Sequence, residues 1–184
     1  MLILASQSPR RSELLQQAGI QFISRPANVD ESVLAGESPE SYVKRVAEEK
    51  ATAVDAGPAD IVLGADTVVV IDGQILGKPR DESDALRMLE ALAGREHTVL
   101  TGICLRRSTE TILDVAETRV WFLQLTQREL QEYVATGEPM DKAGAYAIQG
   151  LASKFIRQIE GSYTNVVGLP IELVYQHLRR WDHP

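Results

Sequence analysis

Residues 2–19 constrain the fold most strongly, because they place a buried strand, a tight turn and a helix start in immediate succession. The apolar run at residues 2–4 is typical of a buried strand. Ser8 offers an N-cap hydroxyl, and Pro9 stands at the first helical position, where a missing N–H costs nothing. An apolar face at helical spacing follows, and Gly19 ends it. We expect the rest of the chain to be organised around this strand–turn–helix unit.

Two arginines, Arg10 and Arg11, occupy the first turn of that helix, where the helix dipole is positive and a cation loses about 0.3–1 kcal/mol. A helix start with free N–H groups, the serines Ser6 and Ser8 and two guanidinium groups would bind a phosphorylated ligand. The alternative is that both arginines extend into water or pair with nearby acids.

The remaining chain mixes helical segments with hairpin signals, which favours an α/β or α+β fold with a mixed sheet. Ser38-Pro39, Ser83 and a capping box at Thr126 mark three further helix starts, and Asp72-Gly73 is a two-residue hairpin signal. The predicted helices cover residues 9–18, 39–55, 84–92, 127–135 and 171–178; the predicted strands cover residues 2–4, 20–25, 61–63, 68–71, 74–76, 97–105, 111–125, 146–149 and 154–159; residues 179–184 are expected to fray.

The composition is that of a folded globule, since 44% of the residues are hydrophobic, and residues 1–184 suit one domain or a domain of two lobes. No run of about 18 apolar residues exists, and residues 1–4 lack the features of a signal peptide. A soluble, cytoplasmic protein with no membrane partner is therefore expected. The single cysteine, Cys104, fits a reducing compartment and lies in an apolar stretch, which favours a core residue.

The net charge of −7, from 26 acidic and 19 basic residues, disfavours binding to nucleic acid polymers or anionic membranes. A phosphate site in such a chain must be local. It must gather the few cations in one cleft or recruit a divalent metal that bridges carboxylates and phosphates.

Two charged residues fall on apolar patterns that predict burial. Lys50 lies on the apolar face of the helix predicted at residues 39–55, so its ammonium either extends along the core to solvent or reaches an internal anionic site. Asp66 interrupts an almost continuous apolar run next to the small residues Gly64 and Ala65. A buried carboxylate must be hydrogen-bonded, paired or metal-bound, and it is also a candidate general base; the alternative is a structural residue at a strand end.

Three other candidates have weaker local signals. The hairpin would bring Lys78 back towards Asp66, although a lysine beside a hairpin is also common on surfaces. The Gln149 amide, with two donors and an acceptor, suits a base edge but also an exposed edge strand. Glu31 lies in an acidic loop, where most carboxylates are simply solvated.

Several familiar sites are absent from the sequence: there is no phosphate-binding P-loop, no G-x-G-x-x-G, no pair of CxxC motifs and no H-E-x-x-H. The histidines His97, His177 and His183 are far apart, so a catalytic triad or zinc site has no support. The remaining hard ligands and cations favour phosphate chemistry assisted by Mg²⁺ or Mn²⁺.

An ordered series of motifs resembles the Maf family of nucleoside triphosphate pyrophosphatases. The resemblance covers roughly residues 2–178 and rests on Leu4-Ala5-Ser6-Gln7-Ser8-Pro9-Arg10-Arg11, Glu31, Lys50, Gly64-Ala65-Asp66-Thr67, Lys78-Pro79, Asp141-Lys142-Ala143-Gly144-Ala145-Tyr146 and Ile148-Gln149-Gly150. So many pieces in the same order are far more specific than any single motif.

The resemblance implies hydrolysis of a nucleoside triphosphate between the α and β phosphates, with the help of a divalent metal cation. Glu31 and Asp66 would hold the metal and the attacking water, with Asp66 as the proton acceptor. The triphosphate would be bound by Ser6, Arg11, Lys50 and Lys78.

Three positions resemble the subgroup of the family that acts on dTTP and UTP: Arg10, Thr67 and Gln149. The subgroup that acts on 7-methyl-GTP has an aromatic residue, glutamine and glutamate at these positions. The resemblance therefore implies a pyrimidine nucleotide as the substrate.

The resemblance also implies a Maf/inosine-triphosphatase-like fold, in which a bent mixed β-sheet is flanked by helices and two lobes surround a central cleft. A homodimer and a link to arrest of septum formation and cell division are further implications. Two alternatives stay open, namely a nucleotidyltransferase and a non-catalytic nucleotide-binding regulator. The transferase needs a glycine-rich opening loop, which residues 6–9 lack.

Overall fold

The computed structural model describes residues 1–181, which form a mixed α/β fold. The strands are β1 (Leu2–Leu4), β2 (Phe22–Ser24), β3 (Ile61–Ile71), β4 (Gln74–Leu76), β5 (Glu96–Arg107), β6 (Glu110–Phe122) and β7 (Ile156–Glu160). The α-helices are α1 (Pro9–Gln17), α2 (Pro39–Thr52), α3 (Glu82–Leu92), α4 (Gln127–Val134), α5 (Tyr163–Val167) and α6 (Ile171–Leu178). Short 3-10 turns cover Glu138–Asp141, Ala143–Ala145, Leu151–Phe155 and Arg179–Trp181.

The strands form one seven-stranded sheet in the order β2-β1-β3-β5-β6-β7, and β4 pairs with β3. Strand β1 is parallel to both β2 and β3, with Leu2 opposite Phe22 and Ile61. The β3–β4 and β6–β7 pairs are antiparallel. The sheet is therefore mixed and flanked by helices, which confirms the predicted fold class.

The chain divides into two compact units. The first comprises Met1–Thr67, Thr101–Ala116 and the segment that begins at Gly168, and the second comprises Val68–Leu100 and Glu117–Val167. The core of the first unit includes Cys104, which is buried as expected, and burial raises the pKa of its thiol to about 12. Within residues 1–181, no helix has the length and apolar character needed to cross a bilayer.

Helix α2 lies directly against two neighbouring strands of the first unit, because each strand has a glycine at the contact. A β-carbon at Gly64 of β3 would lie 2.1 Å from the Ala47 carbonyl oxygen, and one at Gly102 of β5 would lie 2.3 Å from the Val43 carbonyl oxygen. Contacts this close leave no room for any side chain. The prediction that small residues beside Asp66 admit a close backbone is confirmed.

The structure corrects three predictions for residues 1–71. The strands predicted at residues 61–63 and 68–71 are one continuous strand, β3, so Asp66 lies in the middle of a strand and not in a connection. Helix α2 ends at Thr52 and not near residue 55. Ser8 is the N-cap residue of α1, but its side chain makes no capping hydrogen bond.

In the second unit, the prediction of a strand at residues 146–149 is wrong. The backbone there follows a 3-10 turn in which Gly144 has a left-handed φ of 67°, and it enters a further turn before Leu151. Helix α3 is capped by Asp81 and not by Ser83. The capping box at Thr126 is confirmed, as is the Asp72-Gly73 hairpin turn with φ values of 51° and 73°.

The C-terminal prediction is wrong for the residues that the structure describes. Residues Arg179–Trp181 form a 3-10 turn, and the Trp181 indole N–H donates to Glu110 Oε2 at 2.7 Å. The rest of the expected frayed end, including His183, lies outside the described residues.

Candidate active site

Three charged side chains of the first unit meet at the ammonium group of Lys50. The Lys50 Nζ lies 2.7 Å from Asp66 Oδ1 and 2.7 Å from Glu31 Oε1. The side chains of Lys50 and Asp66 are only 9% and 10% exposed, whereas that of Glu31 is 47% exposed. The alternative that Lys50 merely extends to solvent is therefore wrong, because its ammonium ends at an internal pair of carboxylates.

The close approach of α2 to β3 creates this arrangement. Lys50 lies in the last turn of α2, on the same buried face as Ala47 and Ala51, which pack against Gly64. Asp66 lies two residues beyond Gly64 on β3, and side chains two residues apart share one face of a strand. The glycine thus sets the distance at which the ammonium and the carboxylate meet.

Arg11 is buried and donates hydrogen bonds to four acceptors of the first unit. Its Nε donates to Gly168 O at 2.8 Å, and its Nη1 donates to Ser6 Oγ at 3.1 Å and Ala65 O at 2.8 Å. Its Nη2 donates to Thr67 Oγ1 at 3.1 Å. We call Ser6, Arg11, Ala65, Thr67 and Gly168 the Arg11 cluster. A guanidinium has five N–H groups, so one of them has no acceptor among residues 1–181 and is left for a ligand.

The electrostatic surroundings of Arg11 combine burial with nearby carboxylates. Burial lowers the pKa of its guanidinium, while the charges of Asp66 and Glu31 act in the opposite direction. Arg10, the residue before Arg11, is half-buried, and the repulsion from its positive charge lowers the pKa of Arg11 further. Arg11 therefore neither extends into water nor forms a simple surface ion pair.

The hydroxyl group of Thr67 has a complete set of partners inside the protein. It accepts from Arg11 Nη2, shares a hydrogen bond of 2.9 Å with Thr101 Oγ1, and donates to Gly168 O at 3.2 Å. A hydroxyl has one donor and two acceptor sites, so these contacts use its full capacity. Thr67 thus holds Arg11 and the Gly168 carbonyl in place.

The segment that carries Glu31 has no regular secondary structure, and helix α2 holds it in place. The Tyr42 hydroxyl donates to Glu31 O at 2.8 Å, and Arg45 Nη2 donates to Ser32 O at 2.9 Å. Arg45 also binds both carboxylate oxygens of Glu37, which lowers the pKa of that carboxyl to about 2. Sequence reasoning missed Tyr42 and Arg45. The available signal was that Tyr42 and Arg45 are three residues apart on one face of a predicted helix that follows an acidic loop.

The other predicted site residues, Lys78 and Gln149, belong to the second unit. Lys78 is exposed and follows β4, the second strand of the predicted hairpin. Gln149 is exposed in a turn that the hydrogen bond from Gly150 N to Ala147 O closes at 3.1 Å. The structure thus brings together Ser6, Arg11, Glu31, Lys50, Asp66 and Thr67 in the first unit. The roles of these residues, like those of Lys78 and Gln149, stay predictions.

The donor set of this site fits a magnesium or manganese ion that is completed by substrate. Glu31 and Asp66 present two carboxylates to one point, and carboxylate oxygens are the ligands these cations prefer. Within residues 1–181, no group of three or more histidine, cysteine, aspartate or glutamate side chains forms a closed metal cage. Mg²⁺ is typically held by one or two carboxylates together with phosphate oxygens and water.

Charge balance points in the same direction. The carboxylates of Glu31 and Asp66 offset the charges of Arg11 and Lys50, and the nearby Arg10 adds one positive charge. One net positive charge does not by itself compensate the charge of a triphosphate. A divalent cation would supply the missing positive charge.

The chain is similar to one protein family over its whole described length. A family model described as Maf-like protein matches residues 1–181. A protein of Anaeromyxobacter dehalogenans (strain 2CP-C) named dTTP/UTP pyrophosphatase is 53% identical over an alignment that covers 100% of this chain and 98% of that protein. A protein with the same name from Symbiobacterium thermophilum is 52% identical, with 100% and 95% covered.

Two solved structures share the fold at low sequence identity. The Ham1 protein of Staphylococcus aureus has a TM-score of 0.54 at 13% identity, and a HAM1 protein from Coxiella burnetii has a TM-score of 0.54 at 15% identity. Each comparison covers 97% of this chain and 98% of the other. At these identities the likeness concerns the fold alone.

Proposed function

Because the chain belongs to the Maf family, we propose that it hydrolyses dTTP and UTP between the α and β phosphates, giving the nucleoside monophosphate and pyrophosphate. The substrate follows from relatives that are about half identical over their full length and are named dTTP/UTP pyrophosphatase. The structural observation that supports it is the meeting of Glu31, Lys50 and Asp66 beside the Arg11 cluster.

Asp66 is the proton acceptor in this proposal. A water molecule attacks the α-phosphorus, its proton passes to an Asp66 carboxylate oxygen, and the bond between the α-phosphorus and the bridging oxygen breaks. The electron pair of that bond leaves with pyrophosphate. The buried location of Asp66 in β3 fixes its carboxylate, because a strand interior allows little backbone movement.

A divalent metal fits the carboxylates of Glu31 and Asp66 and supplies charge neutralisation for the phosphates and the leaving group when it is bound. The Lys50 ammonium neutralises these two carboxylates in the structure. With a metal ion at these carboxylates, the Lys50 ammonium would be available to contact a phosphate oxygen. Lys50 would thereby serve both the free protein and the substrate complex.

The remaining phosphate contacts come from residues with distinct tasks. Arg11 has one N–H left for a phosphate oxygen and otherwise orients Ser6, Thr67 and the Ala65 carbonyl, so its main task is to hold the site in shape. The exposed ammonium of Lys78 is the flexible cation that would follow the leaving pyrophosphate.

Base selection is assigned to Gln149, with Arg10 and Thr67 as supporting positions. The exposed Gln149 amide can pair with a donor and an acceptor on a pyrimidine edge at once. The Thr67 hydroxyl is fully bonded inside the protein, so Thr67 would influence selection through the position of Arg11 and not by touching the base.

The decisive experiment incubates purified protein with Mg²⁺ or Mn²⁺ and a panel of dTTP, UTP, CTP and 7-methyl-GTP, and measures monophosphate and pyrophosphate. We expect dTTP and UTP to be turned over fastest and Asp66→Asn to abolish turnover while the fold survives. Asp55→Asn, at an exposed position after α2, is the matched control and should retain activity. Faster turnover of 7-methyl-GTP, or retained turnover in Asp66→Asn, would contradict the assignment.

The same experiment separates the alternatives. A nucleotidyltransferase would require a second substrate, and a non-catalytic regulator would bind nucleotide without releasing pyrophosphate. A role in arresting septum formation is a further part of the proposal. Overproduction of the wild-type chain should then produce filamentous cells, and the Asp66→Asn variant shows whether that effect needs catalysis.

A further inference from the structure

Glu138, which lies outside the motifs described above, contacts the exposed turn that carries Gln149. The Glu138 carboxylate accepts a hydrogen bond from Leu151 N at 3.0 Å through its Oε2. Its Oε1 accepts from the Tyr133 hydroxyl at 2.8 Å. Leu151 is two residues beyond Gln149, so one carboxylate links the turn to the buried ring of Tyr133 on α4.

Gly150 brings the turn into direct contact with the same carboxylate. A β-carbon at position 150 would lie 2.4–2.6 Å from the carboxylate atoms of Glu138. The φ of Gly150 is −106°, which any residue can adopt. Position 150 therefore needs a glycine because the Glu138 carboxylate leaves no room for a β-carbon, and not because the backbone conformation demands one.

Glu138 is itself fixed at both its backbone and its side chain. Its N–H donates to Thr136 Oγ1 at 3.2 Å, and its carbonyl accepts from Lys142 Nζ at 2.8 Å. Burial and the Glu138 carboxylate raise the pKa of Tyr133, while the backbone N–H of Ala147 lowers it. The Tyr133 hydroxyl thus interacts with Ala147, two residues before Gln149, and with Glu138, whose carboxylate binds Leu151, two residues after Gln149.

We propose that Glu138, oriented by Tyr133, is a positioning residue that fixes the Gln149 turn and thereby sets the base selectivity of the enzyme. This inference rests on the proposed function, in which Gln149 reads the base. Uracil offers a donor and an acceptor where cytosine offers the reverse pair, and a glutamine amide that can move and rotate satisfies either one. Discrimination between the two bases therefore needs a turn that presents the amide at one place.

The test compares kcat/KM for UTP and CTP in Glu138→Ala, Tyr133→Phe and Gly150→Ala. Glu138→Ala removes the carboxylate that supports the turn, Tyr133→Phe removes the hydroxyl that orients it, and Gly150→Ala displaces it. We expect the UTP-to-CTP ratio to fall by about tenfold in Glu138→Ala, the order of effect that a displaced contact has on a reaction. The kcat for UTP should change less than twofold, because the residues proposed for the chemistry lie elsewhere. Glu132→Ala, at an exposed position on α4, is the matched control and should keep the wild-type ratio.

A double-mutant cycle makes the test specific to the contact between Glu138 and Gly150. The added methyl group of Gly150→Ala overlaps the carboxylate in the wild type but has nothing to displace when residue 138 is alanine. We therefore expect the single variant Gly150→Ala to lower the UTP-to-CTP ratio. In the Glu138→Ala background, the same change should have no further effect on that ratio. Independent, multiplying effects of the two changes would overturn the proposal.

Hydrogen exchange at the Leu151 amide gives a readout that does not depend on catalysis. Exchange should accelerate in Glu138→Ala and stay at the wild-type rate in Glu132→Ala. Faster exchange with an unchanged UTP-to-CTP ratio would overturn the proposal, as would unchanged exchange. If the wild-type protein releases no pyrophosphate from any nucleotide, the proposed function itself is wrong. That result differs from an active enzyme whose UTP-to-CTP ratio is unchanged in Glu138→Ala, which would overturn only the role of Glu138.

Discussion

Gly64 lies so close to Ala47 that a β-carbon at position 64 would be 2.1 Å from the Ala47 carbonyl oxygen. The contact joins the backbone of α2 to the middle of β3. It places the Lys50 ammonium beside the Asp66 carboxylate, so the geometry of the charged site depends on the absence of one methyl group.

The substitution Gly64→Ala should therefore push α2 away from the sheet. We expect the free energy of unfolding to fall by about 1–3 kcal/mol, the usual cost of adding atoms to a packed interior. Urea denaturation measures this change. Gly77→Ala is the matched control, because a β-carbon there meets nothing within 4 Å, and it should be nearly neutral. Equal stability of the two variants would contradict the packing argument.

Lys50→Met should be strongly destabilising, because it leaves the Asp66 carboxylate buried without its cation. Removing one partner of a buried ion pair typically costs about 3–5 kcal/mol. The double variant Lys50→Met with Asp66→Asn should lose less than the sum of the two single changes in urea denaturation. Lys44→Met removes an exposed pair with Glu40 and should change stability by less than about 1 kcal/mol. Additive losses would show that the two groups do not interact.

Arg11→Lys should not preserve the Arg11 cluster, although it preserves the charge. A lysine ammonium cannot reproduce the planar fork that serves Gly168, Ser6, Ala65 and Thr67 at once. Loss of even two charge-assisted hydrogen bonds is expected to reduce the free energy of unfolding by about 3 kcal/mol. Thermal and urea unfolding test this, with the exposed Arg128→Lys as the control that should be neutral. A fully stable Arg11→Lys variant would mean that the cluster contributes little to the fold.

Tyr42→Phe tests how the Glu31 segment is held. The change removes only the hydroxyl that donates to the Glu31 carbonyl and leaves the buried ring in place. If Glu31 holds the metal, the Mg²⁺ concentration for half-maximal activity should rise by about tenfold, the lower end of what loss of an outer partner costs. The kcat at saturating Mg²⁺ should stay within about twofold. Tyr163→Phe, at an exposed tyrosine, should leave both values unchanged, and a loss of kcat alone in Tyr42→Phe would speak against this role.

The buried imidazole of His97 should make the protein sensitive to mild acid. Burial lowers the pKa of His97 from 6.5 to about 3, so between these values the unfolded chain binds a proton that the folded protein does not. The free energy of unfolding is therefore unaffected by this group above pH 6.5 and falls as the pH drops below it. Between pH 7 and pH 5 the loss amounts to about 2 kcal/mol. His97→Asn should remove this part of the pH dependence in urea titrations, and an unchanged slope would contradict it.

Short-range patterns were sufficient to predict most elements of the fold. The apolar run of β1, the Pro9 start of α1, the capping box at Thr126 and the Asp72-Gly73 turn each depend on residues within one or two turns of one another. Local hydrogen bonds and local conformational preferences decide such features. They are therefore visible in the sequence.

The errors occur where a contact from a distant segment overrides the local pattern. Asp66 interrupts the apolar pattern, which predicted two separate strands. The strand β3 nevertheless continues through Asp66, because Lys50 of α2, 16 positions earlier in the chain, supplies a counter-charge. Residues 146–149 alternate like a strand, but Tyr146 is drawn into the core, where its hydroxyl lies 2.9 Å from His97 Nε2. A buried aromatic ring with a polar partner stabilises the turn instead.

The candidate site was predictable as a set of residues but not as a set of contacts. The anion-binding interpretation of Arg11 came from its position on the helix dipole, whereas its actual partners lie at Ser6, Ala65, Thr67 and Gly168. Ser6 is five positions from Arg11, but the other three partners are 54 to 157 positions away, and no local rule relates segments so far apart. Tyr42 and Glu138 were missed for the same reason, since each acts on a backbone group of another segment.

The bond from Arg11 to the Gly168 carbonyl spans 157 positions and has a consequence for folding. The other three acceptors, Ser6, Ala65 and Thr67, lie within 56 positions of Arg11, so the guanidinium can be partly ordered before the segment that begins at Gly168 packs. We expect the bond to Gly168 to form late, because the entropic cost of closing a loop rises with the length of the loop.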